Sequence, residues 1–310
     1  MAKFEQIERN TGVDSLQPGT EWIMVPKGKS NLICLTGGAK HRVEAVEGKT
    51  YVRIDVIHED KYADEVGRIN ALFIGKNDKL LRITGLHRGP GRIVASNGSD
   101  KAELKFSVHG PRTFNVSFFF LYDLDGQNRP MPRSAYGPND AVGWVEMLNT
   151  VYGQQANIWF AVDKNMPLAV SGLPGIVSSD NAQMLANHKD AQVATGKTKE
   201  SKAPIRVFLA GPTIRSIDNS HPNGFYHVAT KVIIMKDQKD PNFWENGDGR
   251  KHLMVKTLAH EIGHFLNYLQ GAGQGHDFFL KTGYVSDILN TMDGQNIKIS
   301  RQRVLDWNPT

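Results

Sequence analysis

The sequence lacks several features, and each absence excludes a class of protein. It has one cysteine, Cys34, among 310 residues, so it cannot form an intrachain disulfide, and we expect it to fold in a reducing cytosol. No run of about 18 apolar residues occurs, which excludes a transmembrane helix. The opening residues, MAKFEQIERN, lack the charged-then-apolar order of a signal peptide. We therefore predict synthesis in the cytoplasm without a signal peptide, and export by a non-Sec route if the protein acts outside the cell.

A strong excess of one charge is also missing. Lys and Arg total 37 against 32 for Asp and Glu, which gives a net charge of +5. The excess is spread along the chain without a dense basic run, so no nucleic-acid partner is predicted. Hydrophobic residues make up 40% of the chain, which is enough to form the cores of two domains of ordinary size.

Residues 1–110 have the pattern of β structure, because short apolar runs alternate with glycine-rich turns. These runs are Asn31–Leu35, Tyr51–Ile57, Asn70–Ile74, Leu80–Thr84, Arg92–Ala95 and Ala102–Val108. A weak internal repeat is also present. Leu35-Thr36-Gly37 and the residues after it resemble Ile83-Thr84-Gly85 and the residues after it. Two small β modules or two halves of one sandwich would both produce it. We favour a single Ig-like sandwich that serves targeting or substrate presentation.

After residue 110 the pattern changes to strands interspersed with helices. The predicted strands are Phe114–Tyr122, Asn157–Val162, Ile205–Ala210 and Phe225–Met235. The predicted helices run from Asn139 to about Tyr152, over His252–Leu269 and over Ser300–Trp307, and the polar segment Asn187–Lys202 is predicted to be a surface loop. The sequence therefore predicts a multidomain protein, with an all-β domain over residues 1–110 and an α+β domain over residues 111–310.

One motif in the second part of the sequence has the residue types of a catalytic metal site. Residues 260–264 read His-Glu-Ile-Gly-His and lie in a predicted amphipathic helix. Histidines four positions apart leave the same helix face, so the imidazoles of His260 and His264 can reach one zinc ion. Glu261 lies beside them without being a ligand, where it can accept a proton from zinc-bound water. The alternative is an ordinary helix with two partly exposed histidines and an incidental glutamate.

A catalytic zinc ion needs a third protein ligand and an open position for water. No glutamate follows Phe265, so the downstream candidates are His276, Asp277, Asp287 and Asp293. His276 is the one histidine among them, and the glycine-rich segment before it lets the chain reverse under the metal. We favour His276 as the third ligand, with an exposed loop histidine as the alternative.

Together these residues resemble the metzincin clan of zinc endopeptidases. The matching motifs are His260-Glu261-x-x-His264, then Gly273-x-x-His276-Asp277, then Asn290-Thr291-Met292-Asp293-Gly294. The resemblance covers residues 112–310 and does not extend to the β-rich first third. It implies a metzincin-like zincin fold for this part and Zn²⁺ as the cofactor. It also implies His260, His264 and His276 as the ligands, Glu261 as the general base, and Met292 in a turn that forms an apolar floor below the metal.

The sequence departs from the clan's motif at one place. Asn267 and Gln270 stand where the clan has a glycine and the third histidine. We interpret this as an insertion, in which the helix runs one more turn to about Leu269 and Gly273 takes the role of the glycine. For this reason the subfamily is not assigned.

The resemblance predicts a zinc endopeptidase that hydrolyses the peptide bonds of a protein or peptide substrate. It also implies an edge strand that pairs with extended substrate, for which Phe225–Met235 is the candidate. A bacterial effector or toxin delivered by an export machine would fit the absence of a signal peptide, with residues 1–110 docking the machine or a target protein. Two alternatives stay open: a zinc amidase acting on peptidoglycan, and a non-catalytic adhesion or scaffold protein stabilised by metal. Glu261 argues against the second, because a structural site has no use for a base.

Overall fold

The structure is a computed structural model that describes ten stretches of the chain. They are residues 1–6, 21–72, 74–170, 177–178, 182–211, 214–215, 224–237, 248–271, 299 and 301–309. Within them the chain forms 16 strands, five α-helices and one short 3-10 helix, Glu59–Lys61.

The first part of the chain forms two sheets and one helix. Its elements are β1 (Lys3–Gln6), β2 (Trp22–Pro26), β3 (Ser30–Thr36), β4 (Arg42–Glu47), β5 (Val52–Val56), α1 (Tyr62–Ala71), β6 (Lys79–Gly85), β7 (Gly89–Asn97) and β8 (Asp100–His109). One sheet has the order β1-β3-β6-β5 and the other β2-β8-β7-β4. Along β8 the buried Ala102, Leu104 and Phe106 alternate with exposed residues, which is the two-residue period of a strand with one face on a core. Apolar side chains of both sheets share one core, so the sheets pack as a sandwich.

Helix α1 replaces a predicted strand. The sequence predicts a strand over Asn70–Ile74, but Asn70 and Ala71 are the last two residues of α1. Tyr62 and Val66, four positions apart, bury one face of this helix near Leu80. The strand prediction is wrong because a short apolar run does not distinguish a strand from the end of a buried helix.

The second part of the chain is built around a third, larger sheet. Its elements are β9 (Arg112–Leu124), β10 (Pro130–Pro132), α2 (Pro138–Ala156), β11 (Ile158–Ala169), β12 (Val177–Ser178), α3 (Ala182–Ala194), β13 (Ile205–Leu209), β14 (Ile214–Arg215), β15 (Gly224–His227), β16 (Val232–Met235), α4 (Asp248–Leu269) and α5 (Arg301–Trp307). Strands β11, β9, β13 and β16 are parallel in that order, and β15 and β10 pair antiparallel with β16 and β9. Strands β12 and β14 form a separate short ladder.

Helices cover both faces of this sheet. On one face α2, α4 and α5 pack over side chains that include Phe118 and Val207. On the other face α3 packs over Phe119 and Phe208, the next residues along the same two strands. Since successive side chains of a strand point to opposite faces, burial of both faces explains the continuous apolar runs at residues 118–121 of β9 and 207–209 of β13.

The predicted fold class, an Ig-like all-β sandwich followed by an α+β metzincin-like zincin domain, is wrong. Strands hold more of the described residues than helices do, and three main sheets dominate the fold. Among the described residues no three His, Cys, Asp or Glu side chains come together as a metal-binding group. The first part is not all-β either, because it contains α1. The physical reason is the length of the strands: aromatic and β-branched runs continue β9 to 13 residues and β11 to 12, beyond the predicted bounds.

The predicted surface loop Asn187–Lys202 is also wrong over its first half, which belongs to α3. Three polar residues in the second half of this helix turn toward the protein rather than to solvent. Lys189 and Gln192 are buried, and His188 Nε2 lies 2.6 Å from the carbonyl oxygen of Ala169 at the end of β11. Polar side chains that bond across the fold hide the helical period, so the sequence pattern predicts a loop.

A buried polar cluster joins the first part to the second. His109 is the last residue of β8. Its Nε2 is hydrogen-bonded to Ser107 Oγ at 2.7 Å, and its Nδ1 is hydrogen-bonded to the carbonyl oxygen of Asn308. Asn157 Nδ2 donates to the carbonyl oxygen of His109 at 2.8 Å. Burial lowers the pKa of His109, so the neutral imidazole is favoured. The boundary between residues 110 and 111 stays a prediction, and β9 begins at Arg112 directly after this cluster.

Candidate metal centre

Helix α4 has the amphipathic character that the sequence predicts. The predicted helix His252–Leu269 is confirmed, although it begins earlier, at Asp248. Its core face consists of apolar residues: Met254, Val255, Leu258, Ile262, Phe265 and Leu266. Four residues spaced four apart form a second line along the helix, which we name the α4 stripe: Lys256, His260, His264 and Tyr268. The first three are half-buried and Tyr268 is exposed, so the α4 stripe lies at the margin between core and solvent.

His260 and His264 are neighbours on the α4 stripe. Their ring centroids lie 4.9 Å apart, and the ring planes are inclined by 85°. One turn of helix therefore brings two imidazoles side by side. Both side chains are half-buried, so they are accessible from one side.

Glu261 lies beside the two histidines but is turned into the protein. Its side chain is 4% exposed, and Oε2 has no hydrogen-bond partner among the described residues. Burial raises the pKa of Glu261 to about 8, and the backbone N–H of Tyr226, which donates to the carboxylate, lowers it in part. The carboxyl group is thus desolvated and held by the backbone N–H of Tyr226, an arrangement that suits uptake of a proton.

Strand β15, whose backbone N–H at Tyr226 donates to Glu261, lies at the edge of the large sheet. The predicted continuous strand Phe225–Met235 is wrong, because β15 and β16 form a hairpin in which Tyr226 pairs with Ile233. Lys231 adopts a left-handed φ of 54° in the turn, and His227 Nδ1 lies 2.8 Å from Thr230 Oγ1. Of the strands that the structure describes, β15 pairs with β16 alone. The N–H that reaches Glu261 is therefore on the outer edge of β15, beside α4.

The departure from the metzincin motif has a structural role. Asn267 is fully buried, and its Oδ1 accepts a hydrogen bond of 2.9 Å from Trp307 Nε1 on α5. Helix α4 continues through Asn267 and ends at Leu269, which confirms the predicted extra turn. Asn267 thus binds the C-terminal helix instead of ending α4 as a glycine would.

The remaining predicted site residues lie outside the described part of the chain. They are His276, Asp277, Asp287, Met292 and Asp293. The structure therefore brings together His260, Glu261 and His264, and the third ligand stays a prediction. The side chains present are of the kind that binds zinc, because two imidazoles occupy one helix face beside a carboxylate. Within the described stretches, this carboxylate pairs with no charged group.

Sequence reasoning missed Lys256, the first residue of the α4 stripe. Its Nζ is buried without a hydrogen-bond partner in the described residues, and burial lowers its pKa to about 8. The sequence did contain one signal: Lys256 is four positions before His260, which places both residues on the same helix face. Composition gave no reason to single out one lysine in a helix, where most lysines are solvated.

Comparisons with known proteins give little that bears on this site. No family model and no curated protein sequence matches the chain. Among solved structures, domains 4 and 5 of the S-layer protein SbsC share 19% identity over 31% of this chain and 49% of that fragment, with a TM-score of 0.20. A chimeric titin Z1Z2 shares 15% over 28% of this chain and 83% of that one, with a TM-score of 0.17. Titin M4 shares 14% over 27% of this chain and 81% of that one, with a TM-score of 0.16.

These likenesses are too low to support an argument about fold or function. The chain spans about half the length of the S-layer fragment it matches. None of the helices in the described stretches is both long enough and apolar enough to cross a membrane.

Proposed function

We propose that this chain is a zinc-dependent endopeptidase with His260, His264 and His276 as the metal ligands and Glu261 as the general base. The observation that carries the proposal is the arrangement on α4, where two adjacent imidazoles accompany a buried carboxylate at the edge of a sheet. An incidental glutamate on an ordinary helix would be expected to face water, because carboxylates are seldom buried without a partner. The similarity to metzincins is one of motif and does not extend to fold class.

Bound zinc would polarise the scissile carbonyl and acidify the attacking water. Glu261 accepts the proton of that water at its carboxylate and delivers it to the amine that leaves. The desolvated setting of Glu261 favours this role, since a buried carboxyl group takes up a proton more readily than an exposed one. The N–H of Tyr226 fixes the carboxylate in place.

Strand β15 supplies the surface for an extended substrate. Its outer edge runs beside α4, where Gly224 lies close to the methyl group of Thr257. The N–H of Tyr226 is occupied by Glu261, so a peptide pairs with the other outward backbone groups of this edge. Such backbone hydrogen bonds are indifferent to the side chains of the peptide. In this proposal the sandwich of the first part does not take part in hydrolysis, and it serves to dock a delivery machine or a target protein.

The first experiment measures zinc content and hydrolysis by the full chain. We expect about one zinc per chain, and casein to be cleaved while purified peptidoglycan is not. In Glu261→Gln we expect zinc content to be unchanged, because Glu261 is not a ligand, and activity to fall about 100- to 10,000-fold. Glu146→Gln, at an exposed position of α2, is the matched control and should behave as the wild type.

Each result separates the proposal from an alternative. Weakened zinc binding in His276→Ala supports the three-histidine site, whereas unchanged binding means that another residue completes it. Cleavage of peptidoglycan alone identifies an amidase. Zinc without any hydrolysis indicates a metal-stabilised scaffold. Absence of zinc, or equal activity in Glu261→Gln and Glu146→Gln, refutes the proposed function.

A further inference from the structure

Lys256 has no role in the proposed hydrolysis, yet it lies one helical turn from His260 on the α4 stripe. Its side chain is half-buried, and Nζ itself is shielded from solvent. In the part of the chain that the structure describes, this nitrogen has neither a hydrogen-bond partner nor an ion-pair partner. Lys256 therefore presents a desolvated ammonium group next to the candidate metal site.

Glu261 does not neutralise this ammonium group. Burial lowers the pKa of Lys256, and none of the carboxylates in the described stretches raises it. The pKa of Glu261 is set by its burial and by the N–H of Tyr226, with no contribution from Lys256. The two groups occupy separate environments, although both lie on α4.

A buried ammonium group without a partner is unfavourable for the free protein. The cost is removed when an anion enters and pairs with it, so such a group favours ligands that bring a negative charge. Residues four apart on a helix have Cβ atoms about 5–6 Å apart, and an extended peptide advances about 3.3 Å per residue. A substrate with its scissile bond at the histidine pair thus brings a side chain one or two residues away to Lys256.

We infer that Lys256 determines specificity by binding a carboxylate of the substrate, the side chain of an Asp or Glu one or two residues from the scissile bond. The inference rests on the proposed peptidase function. It adds the substrate class, which the histidine pair and Glu261 do not select because their chemistry acts on the backbone carbonyl of any peptide. To contact the substrate side chain, the flexible side chain of the half-buried Lys256 turns its Nζ outward to the carboxylate. Lys256 takes no part in proton transfer.

The test begins with the cleavage sites of the zinc-loaded full chain. Tryptic peptides of a proteome are digested, and the new termini are read by mass spectrometry. We expect Asp or Glu to be enriched at one fixed position within two residues of the cleaved bond. Two peptides that differ only by Glu or Gln at that position are then compared, and we expect kcat/KM to favour the Glu peptide about 10- to 100-fold.

Variants of Lys256 identify the source of this preference. Lys256→Met keeps an unbranched side chain, one atom shorter, without the charge, and it should cleave both peptides at the rate of the Gln peptide. Lys256→Glu should disfavour the Glu peptide and favour a Lys peptide. Lys49→Met, at an exposed position of the first part, is the matched control and should keep the wild-type ratio.

A binding measurement provides a second readout. In a Glu261→Gln background, fluorescence anisotropy should show that Lys256→Met weakens binding of the Glu peptide and leaves that of the Gln peptide unchanged. We also expect Lys256→Met to unfold in urea at the wild-type midpoint or above it, because a desolvated charge is removed. A folded Lys256→Met that keeps the preference, or a wild type that cleaves peptides without any acidic preference, refutes the inference and leaves the peptidase in place. A wild type that binds zinc and cleaves no peptide refutes both.

Discussion

Replacement of Asn308 by alanine should destabilise the fold, because this side chain bridges three segments of the chain. Asn308 is 4% exposed and follows α5. Its Nδ2 donates to the carbonyl oxygen of Gly110 at 2.9 Å and to that of Ala156 at 2.7 Å. The first carbonyl lies between β8 and β9, and the second belongs to the last residue of α2, where helical carbonyls lack an intrahelical donor.

The expected magnitude follows from these two hydrogen bonds. In Asn308→Ala both buried carbonyl groups lose their donor, and each costs about 1–3 kcal/mol when it is left unsatisfied. Carbonyl oxygens tolerate this loss better than N–H groups, so the lower half of the range applies. We therefore expect a loss of about 2–4 kcal/mol in the free energy of unfolding.

Urea denaturation followed by tryptophan fluorescence measures this loss. Asn187→Ala is the matched control, because Asn187 is exposed on α3 and shares one hydrogen bond with Gln183. The control should change the free energy of unfolding by less than about 0.5 kcal/mol. Asn308→Asp retains the shape but places a carboxylate against two carbonyl oxygens, so it should be at least as destabilising as Asn308→Ala. Equal midpoints for Asn308→Ala and the control would show that the bridge does not stabilise the fold.

Two further predictions concern ionisable groups outside the site. Burial raises the pKa of Cys34 to about 11, so we expect DTNB to label the native thiol about 100-fold more slowly than the urea-unfolded one, and rapid native labelling would contradict its buried position. The Arg133 guanidinium, 2.8 Å from Asp123, holds the pKa of that carboxyl group below its usual value. This contribution to stability is full above about pH 5 and disappears as the pH falls through the folded-state pKa. Arg133→Gln should therefore lower the urea midpoint more at about pH 7 than at about pH 2, and a pH-independent difference would exclude the ion pair as the cause.

Periodic patterns predicted elements well where one face of the element meets a core. Strands β3, β6 and β8 occupy the predicted runs with small changes at their ends. Helix α4 matches its prediction and ends at Leu269. In these segments the local pattern of apolar residues matches the period of the element, so it can be read without knowledge of the partners.

Predictions failed where polar residues have partners far along the chain. Helix α3 reads as a loop because His188 and Gln192 bond to the end of β11 rather than facing water. The run of residues 225–235 reads as one strand, since nothing local shows that it folds back on itself at Lys231. Both segments depend on tertiary contacts, which override local preference.

The same division applies to the candidate site. The positions of His260, Glu261 and His264 on one helix turn were determined by the sequence alone, because the helical period is a local property. The burial of Glu261 against the N–H of Tyr226, and the absence of a partner for Lys256 among the described residues, were decided by the tertiary structure. Whether a side chain is desolvated depends on which segments pack around it. Here those segments are β15 and the other strands of the large sheet. They contact α4 through side chains that no local sequence pattern predicts.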